Sequence, residues 1–235
     1  MTGALLLISG LTVWRFVHED FHHEEGAPKY GLWYGFNLVM HDRGLVSLLF
    51  IRVMSRLPDL TLAPILPLFV QSLVPESSRV ASLTGLISGT AAGTSALGAA
   101  TLGRASDRIG YRRVLLVCAS LVAVLYVPQH FVTNPWQLLI LQGAVGFVIS
   151  GLLTSISALQ ANLSPEGYQG AVYGADSSAV AAANAVGPML GATAAAGVDL
   201  RAPFFLAAAA FGLVALMTKT LVPRPAPKPS PVVPD

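Results

Sequence analysis

The sequence predicts an all-α bundle of membrane-crossing helices, and three observations lead there. Hydrophobic residues fill 54% of the 235 positions and charged ones only 11%, against roughly a quarter charged in soluble domains. The apolar residues fall in six long runs, 44–74, 80–102, 114–133, 136–160, 171–198 and 203–222. At about 1.5 Å per residue each run is long enough to cross the hydrocarbon layer. Turn formers and charges separate them: Pro75-Glu76, Gly103 to Arg113, Asn134-Pro135, Ser164-Pro165-Glu166 and Asp199 to Arg201.

Taken in order, the chain starts with residues 1–17, the tail of a truncated transmembrane helix whose start lies outside the sequence. This segment is short for a full crossing, and it lacks the basic start and small-residue cleavage site of a signal peptide. Residues 18–43 are a hydrophilic linker, 44–222 the six-helix bundle, and 223–235 (PRPAPKPSPVVPD) a Pro-rich tail expected to be disordered. Placing the linker in the cytoplasm puts Arg15, Lys29, Arg43, Arg104, Arg108, Arg112, Arg113, Lys219, Arg224 and Lys228 on that side. Only Arg79 and Arg201 then lie opposite. The positive-inside rule therefore predicts a multi-pass inner-membrane protein with a cytoplasmic C-terminus. Trp14, Trp33 and Trp136 fall at run ends or in the linker, as interfacial anchors do. Gly85, Gly89 and Gly93 recur every four residues and predict a face open to close helix approach. Gly143, Gly146 and Gly151 repeat the pattern more loosely.

The composition also excludes function classes. A net charge of +2 with dispersed basic residues argues against a nucleic-acid partner. One cysteine, Cys118, permits neither a disulfide framework nor a thiol metal site. His18, His22 and His23 stand among Glu19, Asp20, Glu24 and Glu25 without any ligand spacing, so no metal is expected there. Walker-type and His-Glu-x-x-His motifs are absent, and Gly93-Thr-Ser95-Ala-Leu97 lacks the closing Gly of a nucleophile elbow. Neither an enzyme nor a cofactor is expected.

The residues that carry chemistry are the charges inside apolar runs. Asp59 lies about midway along 44–74, with Arg56 and Arg52 three and seven residues before it on one helical face. A charge at that depth is expensive and points to a cavity or a partner. Asp59 is thus a candidate proton-coupling carboxylate, with a structural ion pair as the alternative. Asp176 reads as a cavity-lining acid or as an acid favoured by its own helix N-terminus, and Asn184 as a polar cavity residue. Gly187, Pro188 and Gly191 read as a hinge or a static kink.

The segment Gly103-Arg-Ala-Ser-Asp107-Arg108-Ile-Gly110-Tyr-Arg112-Arg113 combines glycines for a reversal, an acid, and arginines that hold a loop inside. It resembles the loop signature of the major facilitator superfamily. Pro64-Ile-Leu-Pro67 resembles the proline-bearing end of that family's first or seventh helix, and Asn184-Ala-Val-Gly187-Pro188-Met-Leu-Gly191 its eleventh. Gln169 stands where the family often has Arg before a Gly. The order of motifs is similar to the C-terminal half of bacterial multidrug-efflux facilitators. The resemblance implies six full transmembrane helices of a facilitator fold and proton-coupled export of amphipathic small molecules by alternating access. It also implies that a second, N-terminal six-helix bundle is needed, and that Gly103, Asp107, Arg108, Gly110, Arg112 and Arg113 form a cytoplasmic gate. The binding cavity is expected among 44–74, 80–102, 136–160 and 171–198. Uptake or exchange of a small metabolite, and a non-transporting membrane interaction module, are the alternative functions.

Overall fold

The computed structural model of the chain describes residues 12, 15, 37, 39–74, 79–165, 167–197 and 201–222. The chain divides into two compact units, Met1–Tyr30 and Gly31–Asp235; of the first, Thr12 and Arg15 alone are described, both helical. The expected tail helix, most of the linker and the Pro-rich tail lie outside the described residues. Within the linker region, residues 39–41 are helical, and Val39 is buried with Leu45 and Val172.

The second unit is built from α1 (Arg43–Leu62), α2 (Ile65–Leu73), α3 (Val80–Ile109), α4 (Tyr111–Gln129), α5 (Pro135–Leu163), α6 (Gln169–Gly197) and α7 (Ala202–Thr220). The side chains of Asp42 and Asn134 cap α1 and α5 by accepting from first-turn N–H groups. α3, α4, α5 and α7 are each long and apolar enough to cross a membrane. α1 and α2 form a fifth crossing if a bend of 46° is allowed within one span, and Pro64, which lacks an N–H donor, sits at that bend. α6, with 29 residues, also has the length of a crossing.

The expected loop 103–113 is mostly helix. α3 continues through Gly103 and Asp107 to Ile109, and the chain reverses at Gly110 alone, whose φ of 103° is open to glycine but strained for other residues. One left-handed residue suffices because Gly110 closes α3 with a bond to Ser106 O and starts α4 by accepting from Val114 N.

α3 lies along α5, α4 sits between α5 and α7, and α1 packs on α6 and α7. The α3–α5 seam is a backbone contact. A Cβ on Gly98 would collide with the Phe147 carbonyl and the Ser150 hydroxyl, and one on Gly146 with the Ala91 backbone. Thr94 Oγ1 donates to Gly143 O across the same seam, at 2.7 Å. Lipid tails match side chains in apolarity, so close van der Waals fit and such bonds hold membrane helices together. Gly85, Gly89 and Gly93, the face expected to make the close approach, meet no described atom within 4 Å of a built Cβ. They occupy a different side of α3 from Ala91, Thr94 and Gly98, and α5 covers only the latter.

The α4–α7 pair uses side chains and end caps. Leu115, Val122 and Tyr126 of α4 and Phe204, Ala207, Phe211 and Val214 of α7 are buried at helical spacing in one apolar cluster. The Tyr126 and Phe211 rings stack with centroids 5.8 Å apart. Each end is closed by an arginine. Arg112 donates from Nε to Val222 O at 2.9 Å and from Nη2 to Lys219 O at 2.7 Å. Arg201 Nη1 donates to His130 O at 3.0 Å, and its guanidinium sits 5.8 Å from the centre of the Phe69 ring. Both arginines thereby satisfy carbonyls that a helix C-terminus leaves without partners.

These seams make a paired prediction. Gly146→Ala places a methyl against the α3 backbone and lowers stability by about 1–3 kcal/mol, whereas Gly93→Ala, on the open face, lowers it by less than about 0.5 kcal/mol. Unfolding of both variants in mixed micelles measures the difference, and equal losses would contradict the packing described.

Candidate functional site

Three helices bring polar side chains together inside the apolar bundle. Asp176 lies two turns into α6, deeper than expected because α6 begins at Gln169, and it is only 7% exposed. From α1, Arg52 Nε stands 3.5 Å from Asp176 Oδ2. From α5, Gln160 Nε2 donates to Asp176 Oδ1 at 2.7 Å. A hydrogen-bond donor from one helix and a cation from another therefore answer the two oxygens of one carboxylate. Burial and pairing, rather than the α6 N-terminus, account for this acid.

Several polar atoms in this region are buried without a hydrogen-bond partner among the described residues: Arg52 Nε and Nη1, Arg56 Nε, Gln160 Oε1 and Ser155 Oγ. Buried N–H and C=O groups left unsatisfied are costly, and they concentrate where a structure does something besides hold together.

Arg56 and Asp59 continue the cluster along α1. Arg56 Nη1 lies 3.9 Å from Asp59 Oδ2, and the two side chains are 36% and 40% exposed. The sequence grouped Arg52, Arg56 and Asp59 on one face; the structure divides them. Arg52 turns inward to Asp176, while Arg56 and Asp59 form a looser, more accessible pair. Asn184 is exposed about two turns beyond Asp176. Gln160 escaped sequence reasoning because the apolar run was expected to end there. α5 in fact continues to Leu163, which places Gln160 inside the helix at 1% exposure.

The predicted gate residues separate into two sets. Asp107 accepts from Tyr111 Oη at 2.8 Å, and Arg104, Asp107, Arg108 and Arg113 are exposed around the Gly110 turn. Arg112 is committed to the end of α7. Gly103 is an ordinary helical residue of α3 with open space at its Cβ position. α6 runs on through Pro188, and a Cβ on Gly187 would fall 2.6 Å from Leu60 Cβ, so Gly187 serves the α1–α6 contact. Gly191 lies further along the same helix. An open apolar groove of about 550 Å³ lies apart from the cluster, between Thr90 and Thr94 of α3, Leu121 and Leu125 of α4, and Ile140 and Phe147 of α5.

Because Arg52 and Asp176 are largely buried, Asp176→Leu strands a guanidinium and costs about 3–5 kcal/mol, whereas Arg52→Leu combined with Asp176→Leu returns stability to within about 1 kcal/mol. Chemical denaturation of the single and double variants checks this, and a double variant worse than either single one would refute the pairing.

Comparison with known proteins agrees with this architecture. The chain is 28% identical over 208 residues to the multidrug resistance protein MdtG of Salmonella dublin and to that of Salmonella heidelberg. The MdtG protein of Salmonella arizonae is 27% identical over the same length. Each alignment covers 88% of this chain and 52% of the relative, so the chain spans about half the length of the curated relatives it matches. Residues 48–235 match the sequence profile of the Major Facilitator Superfamily. With most of its length matched, and with apolar helices set around a small buried polar cluster, the chain belongs to the Major Facilitator Superfamily.

Proposed function

We propose that the chain is the C-terminal six-helix bundle of a secondary transporter that exports amphipathic drugs or similar small molecules in exchange for protons. The observation that carries this reading is the buried Arg52–Asp176–Gln160 cluster beside the accessible Arg56–Asp59 pair, charges set within an apolar bundle. A charge retained in hydrocarbon is a functional device by default. The names of the MdtG relatives, multidrug resistance proteins, favour drugs as the cargo.

In this reading the bundle rocks against an N-terminal six-helix partner, and substrate binds between them. Asp59, the more exposed of the two carboxylates, exchanges protons with the cavity. Arg52, Arg56, Asp176 and Asn184 line or support that cavity. Asp107, Arg108, Gly110 and Arg113 form a cytoplasmic gate at the α3–α4 turn, with Gly103 beneath it and Arg112 bracing it against α7. Gly187, Pro188 and Gly191 supply the flexible stretch of α6. The protein resides in the inner membrane with its C-terminus in the cytoplasm. The accessible Arg56 guanidinium favours a second reading, uptake or exchange of a small anionic metabolite.

Proteoliposomes holding this chain, alone and together with an N-terminal six-helix bundle, test the proposal. The expected outcome is efflux of a lipophilic cationic dye driven by a pH gradient when both bundles are present. No flux in either preparation removes the export reading, and competition by small anions but not by dyes favours the second reading. Asp59→Asn is expected to abolish the dependence on the pH gradient, and undiminished coupling in that variant rejects Asp59 as the coupling group. Reporter fusions that place Arg108 and Lys228 on opposite faces would overturn the proposed topology.

A further inference from the structure

We propose that the Arg52–Asp176–Gln160 cluster is a second proton-binding site, in which Gln160 is a positioning residue that serves Asp176 in both of its charge states. The inference rests on the reading of the chain as a proton-driven carrier, whereas its test does not require transport.

The amide is the central observation. Gln160 is 1% exposed, its Nε2 donates to Asp176 Oδ1 at 2.7 Å, and its Oε1 has no hydrogen-bond partner among the described residues. A carboxylate accepts only, so it needs the amide N–H. A carboxylic acid has an O–H to donate, so it needs an acceptor. A primary amide carries both groups on one carbon, and half a turn about its terminal bond exchanges them. Among the described residues the carbonyl oxygen makes no other bond to break, so one Gln160–Asp176 hydrogen bond exists before and after the exchange. A leucine or methionine at this position offers neither state a partner.

The charges around Asp176 decide what protonation does. α1 presents Arg52 at 3.5 Å, with Arg56 one turn along and Asp59 beyond it. α5 presents the neutral Gln160 and has no titratable residue. α2 has none either, and the single charge on α7 is Lys219 in its last turn. Arg52 is therefore the cation that Asp176 answers. When a proton from water binds Asp176, the ion pair between α1 and α6 is lost, while the hydrogen bond between α5 and α6 persists. The Arg52 contact is suited to release because, among the described residues, Nε and Nη1 make no hydrogen bond to hold it. Proton binding thus removes the charge contact between α1 and α6 while Asp176 stays bonded to α5, a selectivity that Asp59, paired within its own helix, does not provide.

Infrared titration of the whole 235-residue chain in lipid, with aspartate carboxyl groups labelled with ¹³C, tests the inference. The expected result is a high-frequency acid carbonyl band, that of an aspartic acid shielded from water, which grows as pH falls. It disappears in Asp176→Asn and persists in Asp59→Asn. In Gln160→Met the band changes frequency because the acid O–H loses its acceptor, and its midpoint moves because the charge-assisted bond lost by the carboxylate is stronger than the neutral bond lost by the acid. Should Asp176→Asn fail to fold by circular dichroism, Asp176→Glu carries the same test by moving the band out of the labelled aspartate signal. A band that survives in Asp176→Asn, or no shielded band at any pH, overturns the site. An unchanged midpoint and frequency in Gln160→Met overturns the role of the amide. Failure of dye efflux with this titration intact would reject the transport reading and leave the proton site standing.

Discussion

A charge carried into hydrocarbon has to be answered by another charge or by directed hydrogen bonds, and this requirement organises one side of the bundle. Arg52 of α1 and Gln160 of α5 both reach Asp176 of α6, so one carboxylate fixes the relative positions of three helices. The seating is specific because a shift of any of the three would leave a charge or an amide in apolar surroundings, a loss larger than that of a displaced leucine. Gly187 lets α6 approach Leu60 on α1, and that closeness keeps Arg52 within reach of Asp176.

The rest of the bundle is held by different physics. α3 and α5 touch backbone to backbone at Gly98 and Gly146, with Thr94 bonding across the seam. α4 and α7 mesh through larger side chains and are closed at each end by an arginine on helix C-terminal carbonyls. Such end bonds matter because unpaired carbonyls are tolerated in water and not in hydrocarbon. The polar cluster is the looser part: its arginine contacts are long, and several of its polar atoms are unpaired among the described residues. The bundle thus combines a tightly satisfied α4–α7 pair with an under-satisfied α1–α5–α6 junction, and a junction of that kind can change partners without dismantling its neighbours.

Much of the architecture was legible from local chemistry. The apolar runs located the helices, since length and apolarity are properties of the chain itself, and Asn134, Pro135 and Gly110 marked real boundaries. Two expectations went astray for a common reason. Gly103 to Arg113 looked like a loop because glycines and charges break soluble helices, yet at the end of a long membrane helix the same residues remain helical and a single positive φ makes the turn. Gly85, Gly89 and Gly93 looked like a packing face because their period is helical. Period alone does not say which side a neighbour covers, and the neighbour chose Gly98.

The amino-acid sequence by itself determined that this is a helical membrane protein, where its helices run, which family it resembles, and that Arg52, Asp59 and Asp176 needed explaining. Each of these follows from composition, from spacing along one chain, or from the cost of burying a charge. Only the tertiary structure decided that Arg52 answers Asp176 rather than Asp59, that Gln160 completes the site, and that Arg112 braces α7. Those pairings join residues 16 to 124 positions apart in the chain. Distances of that kind are set by which helix faces meet, and no local pattern encodes them.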